Sequence, residues 1–124
     1  LHGRSLGSGV AVFLATKRPV RSIVLTTPYD SLTNVAAEIY PWLPISLILR
    51  HKFDSLSRAA EVRVPALFLV ARQDQVIPPM NSKRLYDAWT GPKTWQAYPG
   101  YDHNNLSDAP EYWDTIAAFL ERTD

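Results

Sequence analysis

The sequence predicts an α/β protein in which a parallel sheet of about three strands is flanked by helices, in a three-layer α/β/α arrangement. Three observations lead to this fold class. Short apolar runs of strand length alternate with longer helical patterns, and this alternation is typical of βαβ units. The central runs are apolar without interruption, as expected for strands that are covered on both faces. Proline and glycine mark several of the boundaries between these segments.

Three segments have the length and composition of strands. Residues 21–27 (RSIVLTT) are rich in β-branched side chains and stop at Pro28. Residues 66–71 (ALFLVA) form a continuous apolar run, which predicts a central strand. Residues 93–98 (KTWQAY) alternate in polarity, which predicts a half-exposed strand nearer an edge of the sheet.

Three further segments are predicted as helices. Residues 6–16 are apolar on nearly every side, so we expect a helix that is buried against the sheet. Residues 81–89 follow a helical period, and Gly91 stands where a helix stop is expected. Asp108 and Glu111 resemble a capping box. The helix after this box would carry an apolar stripe of Tyr112, Trp113, Ile116, Ala117 and Leu120.

The chain of 124 residues is predicted to be part of a single domain, with residues 31–61 as a helical excursion between two strands. Thirteen Lys and Arg residues nearly balance twelve Asp and Glu residues, and this balance gives no basic field for a nucleic-acid partner. There is no cysteine, no apolar run approaches the roughly 20 residues of a membrane-spanning helix, and no phosphate-binding loop or metal-ligand spacing is present. We therefore predict no metal, no cofactor and no membrane segment in this chain.

The segment Gly3-Arg4-Ser5-Leu6-Gly7 has the pattern G-x-S-x-G and leads directly into the first predicted helix. This is the strand–turn–helix setting of a nucleophile elbow, in which a strained turn lifts the serine hydroxyl above the sheet. Gly3 and Gly7 are then expected where a side chain would clash. From the motif alone, a glycine-rich helix start with Ser5 as N-cap is an equally good interpretation.

Two later loops favour the catalytic interpretation. Asp74 follows the strand 66–71, and His103 follows the strand 93–98. The carboxyl ends of parallel strands meet at one edge of a sheet, so these two residues and Ser5 are expected together there. A serine needs a base to take its proton, and a histidine base needs a carboxylate to orient it. Asp30, just after the strand 21–27, is the alternative acid.

With these residues in place, the sequence resembles the α/β-hydrolase superfamily. GRSLGSGVA, ARQDQVIPP and GYDHNN resemble its nucleophile, acid and base segments. SIVLTTPYDSL, YPWLP and KFDSL are similar to segments of the α/β-hydrolase-domain-containing serine hydrolases, a group that includes lipid and acyl-protein esterases. The likeness extends over almost all of the chain.

The resemblance implies a serine hydrolase that cleaves a carboxylic ester or thioester of a small or lipid-like acyl substrate. Ser5 would be the nucleophile, Asp74 the acid and His103 the base, and the backbone N–H of Leu6 would belong to the oxyanion hole. Arg4 and Tyr29 are candidates for substrate contact. A prolyl-oligopeptidase-like peptidase and an inactive fragment or interaction module remain as alternatives.

The superfamily has more strands than this chain supplies. The resemblance therefore implies a partial α/β-hydrolase fold whose N-terminal strands are missing, so that residues 1–124 would be the C-terminal part of one hydrolase domain. We expect the strand at residues 22–26 to lack a neighbour, and an unpaired edge invites self-association. The compartment stays open between a cytoplasmic protein and a membrane-anchored parent protein.

Overall fold

The computed structural model describes residues 1–31 and 54–123, and its centre is a four-stranded parallel sheet. The strands lie in the spatial order in which they occur in the chain: β1 His2–Arg4, β2 Ile23–Thr26, β3 Ala66–Ala71 and β4 Lys93–Tyr98. The predicted fold class and the predicted bounds of β3 and β4 are confirmed. β2 is shorter than predicted, and the short β1, which precedes Ser5, is the fourth strand.

The helices are α1 Leu6–Lys17, α2 Ser55–Arg58, α3 Pro79–Ala88 and α4 Tyr112–Thr123, with short 3-10 helices at Ala59–Glu61 and Leu106–Asp108. α3 begins two residues earlier than predicted, because Pro79 has its fixed φ suited to the first helical turn. In the predicted excursion 31–61, residues 55–61 are helical. The segment YPWLP, at residues 40–44, lies outside the described residues.

One face of the sheet packs against α1 and α3. Its core joins Val12 of α1 and Leu85 of α3 to Ile23, Leu25 and Phe68 of the sheet. The expectation that α1 is buried against the sheet is confirmed. The helix buries one side, and a strip of Val10, Phe13 and Leu14 is exposed at 43%, 40% and 38%.

The opposite face of the sheet packs against α4, which completes the three layers. Tyr112, Ile116 and Phe119 are the buried side chains of α4. The prediction of a buried stripe through Trp113, Ala117 and Leu120 is wrong, since all three are exposed. The capping box at Asp108 is also wrong, because that residue belongs to a 3-10 helix and α4 begins only at Tyr112.

The edges of the described sheet are β1 and β4. The expectation that residues 22–26 lack a neighbour is therefore wrong, because β2 pairs with β1 on one side and β3 on the other. Within the described residues, β1 and β4 are the two strands that each have only one neighbour. Self-association through an edge stays a prediction, and a monomer in sedimentation velocity at high concentration would contradict it. Within the described residues, no helix has the length and apolarity needed to cross a bilayer.

Candidate active site

Ser5 occupies the turn between β1 and α1, in a backbone conformation that is rare for a side chain other than glycine. Its φ is 53° and its ψ is −121°. Its N–H donates to the carbonyl of Thr26 at 2.9 Å, which ties the turn to the end of β2. Ser5 occupies the N-cap position of α1, as the alternative interpretation expected, but its side chain makes no capping hydrogen bond to the helix.

The two glycines of the motif have different surroundings. A Cβ at Gly3 would lie 2.6 Å from the Ala11 Cβ, 2.6 Å from the Gly7 carbonyl oxygen and 2.8 Å from the Ser8 Cα. A Cβ at Gly7 would meet none of the described atoms within 4 Å. The prediction of a clash is therefore confirmed at Gly3, where β1 and α1 approach closely, and wrong at Gly7.

Asp74 and His103 form a hydrogen-bonded pair at the carboxyl ends of β3 and β4. His103 Nδ1 lies 2.9 Å from Asp74 Oδ2, and the two side chains are 15% and 1% exposed. Because an ionised carboxylate only accepts, Nδ1 carries the proton. Asp74 Oδ1 accepts from the N–H groups of Val76 at 2.9 Å and Ile77 at 2.8 Å. Both carboxylate oxygens are thus fixed.

The loops that carry this pair are bonded to one another. Gln73 donates its backbone N–H to the Tyr101 carbonyl at 3.0 Å and accepts from the Gly100 N–H through Oε1 at 2.9 Å. Asp102, next to His103, accepts from the N–H groups of Asn104 and Asn105 at 2.9 and 3.1 Å. These bonds restrict the backbone on both sides of the imidazole.

Arg4 connects the Ser5 turn to the histidine loop. Its guanidinium Nη2 donates to the backbone carbonyl of His103 at 3.3 Å. Among the described residues, no hydrogen bond joins the Ser5 hydroxyl to His103. Hydrogen bonds between a nucleophile and its base are often long without substrate and tighten in the complex. The structure therefore brings Asp74 and His103 into contact and places the Ser5 turn beside the loop that carries His103.

The remaining candidates lie elsewhere. The Asp30 side chain is fully buried and binds Asn81 Nδ2 at 2.9 Å and Arg84 Nη1 at 3.4 Å. It is thus Asp74 that meets the histidine. Tyr29 is also fully buried, and burial raises the pKa of its phenol well above the usual value. The structure therefore gives Tyr29 no surface towards a substrate, whereas Arg4 is exposed beside Ser5.

An open pocket of about 280 Å³ adjoins the histidine. Its lining consists of Gln73, Gln75, Val76, Asp102, His103 and Asn104. Val76 is the one aliphatic member, and the others offer amide, carboxylate or imidazole groups. A group that entered this pocket would meet hydrogen-bonding partners next to the imidazole.

Sequence reasoning missed a hydrogen-bonded chain beneath the Ser5 turn. Thr26 Oγ1 lies 2.9 Å from His2 Nε2 and 2.8 Å from the Tyr112 hydroxyl. This chain joins β1, β2 and α4, and burial is the main cause of a lowered pKa for His2. In the sequence Thr26 has the pattern of an ordinary strand residue, so no local signal could have indicated this hydrogen-bonded chain.

Sheet order, helix layers and the loops at the strand ends define an α/β-hydrolase fold. More particularly, the chain belongs to the acetyl xylan esterase (AXE1) family, whose profile matches residues 13–122. The predicted resemblance to the α/β hydrolases is thereby confirmed.

Individual proteins agree with this placement. An uncharacterized Mycobacterium tuberculosis protein is 40% identical over 98% of this chain and 44% of its own length. The alpha/beta hydrolase domain-containing protein WAV2 of Arabidopsis thaliana is 29% identical over 98% of this chain and 46% of its own. The acetyl xylan esterase from Paenibacillus sp. R4 superimposes with a TM-score of 0.79 at 22% identity, covering 98% of this chain and 44% of that structure. The chain thus spans less than half the length of these proteins.

Proposed function

We propose that this chain carries the nucleophile, acid and base of a serine hydrolase that cleaves a carboxylic ester or thioester through an acyl-enzyme. One observation carries the proposal. The buried Asp74 carboxylate is hydrogen-bonded to His103 at the same sheet edge where Ser5 occupies a left-handed turn between β1 and α1. Family membership supports hydrolysis as the reaction class.

His103 is the proposed general base. With Nδ1–H directed at Asp74, its Nε2 carries the lone pair that can accept a proton from a serine hydroxyl. Asp74 holds this tautomer and stabilises the imidazolium that forms. Its own position is fixed by the Val76 and Ile77 amides, so the pair is set before substrate arrives.

Ser5 is the proposed nucleophile. Its Oγ attacks the acyl carbonyl carbon and its proton passes to His103 Nε2, which then gives it to the departing alkoxide or thiolate. Water, deprotonated by the same nitrogen, releases the acid and restores Ser5. The oxyanion would bind at the start of α1, where the backbone N–H of Leu6 lies in the first turn and lacks an intrahelical acceptor.

The substrate is proposed to be a small or lipid-like acyl ester. The matching family is named for acetyl xylan esterase, which favours esters over amides. Arg4, exposed beside Ser5 and bonded to the histidine loop, is the side chain that we propose for contact with the substrate. Amide hydrolysis by a prolyl-oligopeptidase-like enzyme would use the same three residues, and the assay below distinguishes it from ester hydrolysis.

Labelling with a fluorophosphonate, followed by mass spectrometry, tests the proposal. We expect a single adduct at Ser5 that is lost in Ser5→Ala and kept in the matched control Ser57→Ala, since Ser57 is exposed on α2. Acyl p-nitrophenyl esters, acyl thioesters and matched amides are then compared. Hydrolysis of amides alone would contradict the esterase proposal. A folded chain without any adduct would favour the inactive interaction module.

A further inference from the structure

Thr27 combines two features that cost stability. It follows β2 with a φ of 47°, in the left-handed region, where a β-branched side chain is a genuine outlier. Its side chain is 1% exposed, and within residues 1–31 and 54–123 its Oγ1 has no hydrogen-bond partner. Pro28 comes next, and a residue before proline normally prefers an extended backbone.

Ser5 and Thr27 are neighbours at the end of the sheet. β1 and β2 pair in parallel with Arg4 opposite Thr26, so the next residue on each strand is one of these two. Within residues 1–31 and 54–123, they are the two non-glycine residues with positive φ. Strained backbone of this kind clusters at functional sites.

One peptide unit links the two residues. The Thr26 carbonyl accepts from the Ser5 N–H at 2.9 Å, and the N–H of the same peptide, which belongs to Thr27, donates to the Leu69 carbonyl at 2.7 Å. Leu69 lies in β3, the strand that leads to Asp74. The Ser5 turn is therefore attached through this peptide to the strand that carries the acid.

Neither feature of Thr27 is explained by stability alone. Valine would fill the same volume without a buried unpaired hydroxyl, and glycine or asparagine would adopt the left-handed backbone at lower cost. The segment beyond Thr27 is also held, because the Ser82 hydroxyl donates to the Pro28 carbonyl. The strained residue is thus fixed from both sides.

We infer that Thr27 is a positioning residue for Ser5. Its strained backbone, held between Leu69 and Ser82, orients the shared peptide, and this peptide holds the Ser5 N–H so that the hydroxyl stays in its reactive orientation. The inference rests on the proposed function. It assigns to Thr27 no contact with substrate.

The test compares variants that relieve the strain with one that keeps it. In Thr27→Gly and Thr27→Asn we expect Ser5 to react with fluorophosphonate about tenfold more slowly or worse, because small misplacements of reacting groups are costly. Their melting temperature should be equal to that of the wild type or higher. With an ester substrate, kcat should fall while KM stays constant. Thr27→Val keeps the β-branched strain and should remain close to the wild-type labelling rate, as should the control Thr90→Gly, an exposed residue between α3 and β4.

Three results would overturn the inference. Thr27→Gly and Thr27→Asn could label at the wild-type rate, or their slower labelling could follow a lower melting temperature, as a purely structural role predicts. Slow labelling of Thr27→Val would show that the hydroxyl acts instead of the backbone. Failure of the proposed function is distinguishable, because wild-type Ser5 would then not label, and that result would end both proposals.

Discussion

The close approach of β1 and α1 at Gly3 gives a prediction whose size can be worked out from the structure. In Gly3→Ala, the new Cβ would lie 2.6 Å from the Gly7 carbonyl oxygen and 2.8 Å from the Ser8 Cα. Both are backbone atoms of α1, so no side chain can rotate away to relieve the contact. The start of the helix has to move away from the sheet. Overpacking of this kind typically costs about 1–3 kcal/mol, and we expect a value near the upper end.

Gly7→Ala is the matched control in the same motif. In the part of the chain that the structure describes, a Cβ there has no atom within 4 Å, and Gly7 lies inside the first turn of α1. Alanine is favoured over glycine in a helix by up to about 1 kcal/mol. We therefore expect this variant to be as stable as the wild type or slightly more stable. The change from glycine to alanine should therefore lower the free energy of unfolding at position 3 and keep or raise it at position 7.

Urea denaturation gives the free energy of unfolding of both variants, and fluorophosphonate labelling reports the Ser5 turn. For Gly3→Ala we expect a loss of about 3 kcal/mol and a melting temperature lower by roughly 10 °C. Labelling should also be slow, because the helix start supplies the proposed oxyanion donor. Equal stability of the two variants, or a greater loss in Gly7→Ala, would refute the packing argument.

Three further predictions concern charge and protonation. Asp74→Asn places an amide N–H against His103 Nδ1 and favours the wrong tautomer, so labelling should slow by about 10³–10⁴-fold with little change in stability; unchanged labelling would exclude Asp74 as the acid. Asp30→Asn should lower the free energy of unfolding by about 1–3 kcal/mol, since it weakens a buried ion pair with a half-exposed partner, yet leave the labelling rate of folded protein unchanged. Burial raises the pKa of Tyr98. The native state therefore keeps a proton that the unfolded chain releases above about pH 10, and stability should fall as pH rises through that range. Tyr98→Phe should flatten this fall in urea titrations, and an unchanged slope would contradict it.

The parts of the fold that local pattern determines could be predicted from the sequence. β3 and β4 have their predicted bounds because each is a run whose polarity and flanking residues change at both ends. The loops after them were placed correctly for the same reason. Asp74 and His103 could thus be paired by sequence reasoning, since parallel strands bring their carboxyl ends to one edge.

Helix faces show where local pattern stops being informative. Trp113 and Leu120 have the spacing of a core stripe, yet they are 59% and 40% exposed, while Phe119 is buried. Periodicity shows that α4 has apolar side chains on two sides, but it does not show which side meets the sheet. The exposed strip on α1 is the same case. An apolar helix face that is buried and one that is exposed have the same pattern in the sequence.

Ser5 and Thr27 both have a strained backbone, but only the strain at Ser5 could be predicted from the sequence. Ser5 could be predicted as a strained residue because the close packing at Gly3 requires a glycine, and this glycine is visible in the sequence as part of the G-x-S-x-G pattern. No sequence pattern indicates the strain at Thr27, and its residue type and the following Pro28 both favour an extended backbone. Its left-handed conformation is imposed by long-range bonds to β3 and α3, which local propensity does not contain. Thr27 adopts a backbone conformation against its local preference and lies beside a predicted nucleophile. At such a position we expect that selection for function has outweighed stability. The opposite responses expected of stability and labelling in Thr27→Gly follow from that argument.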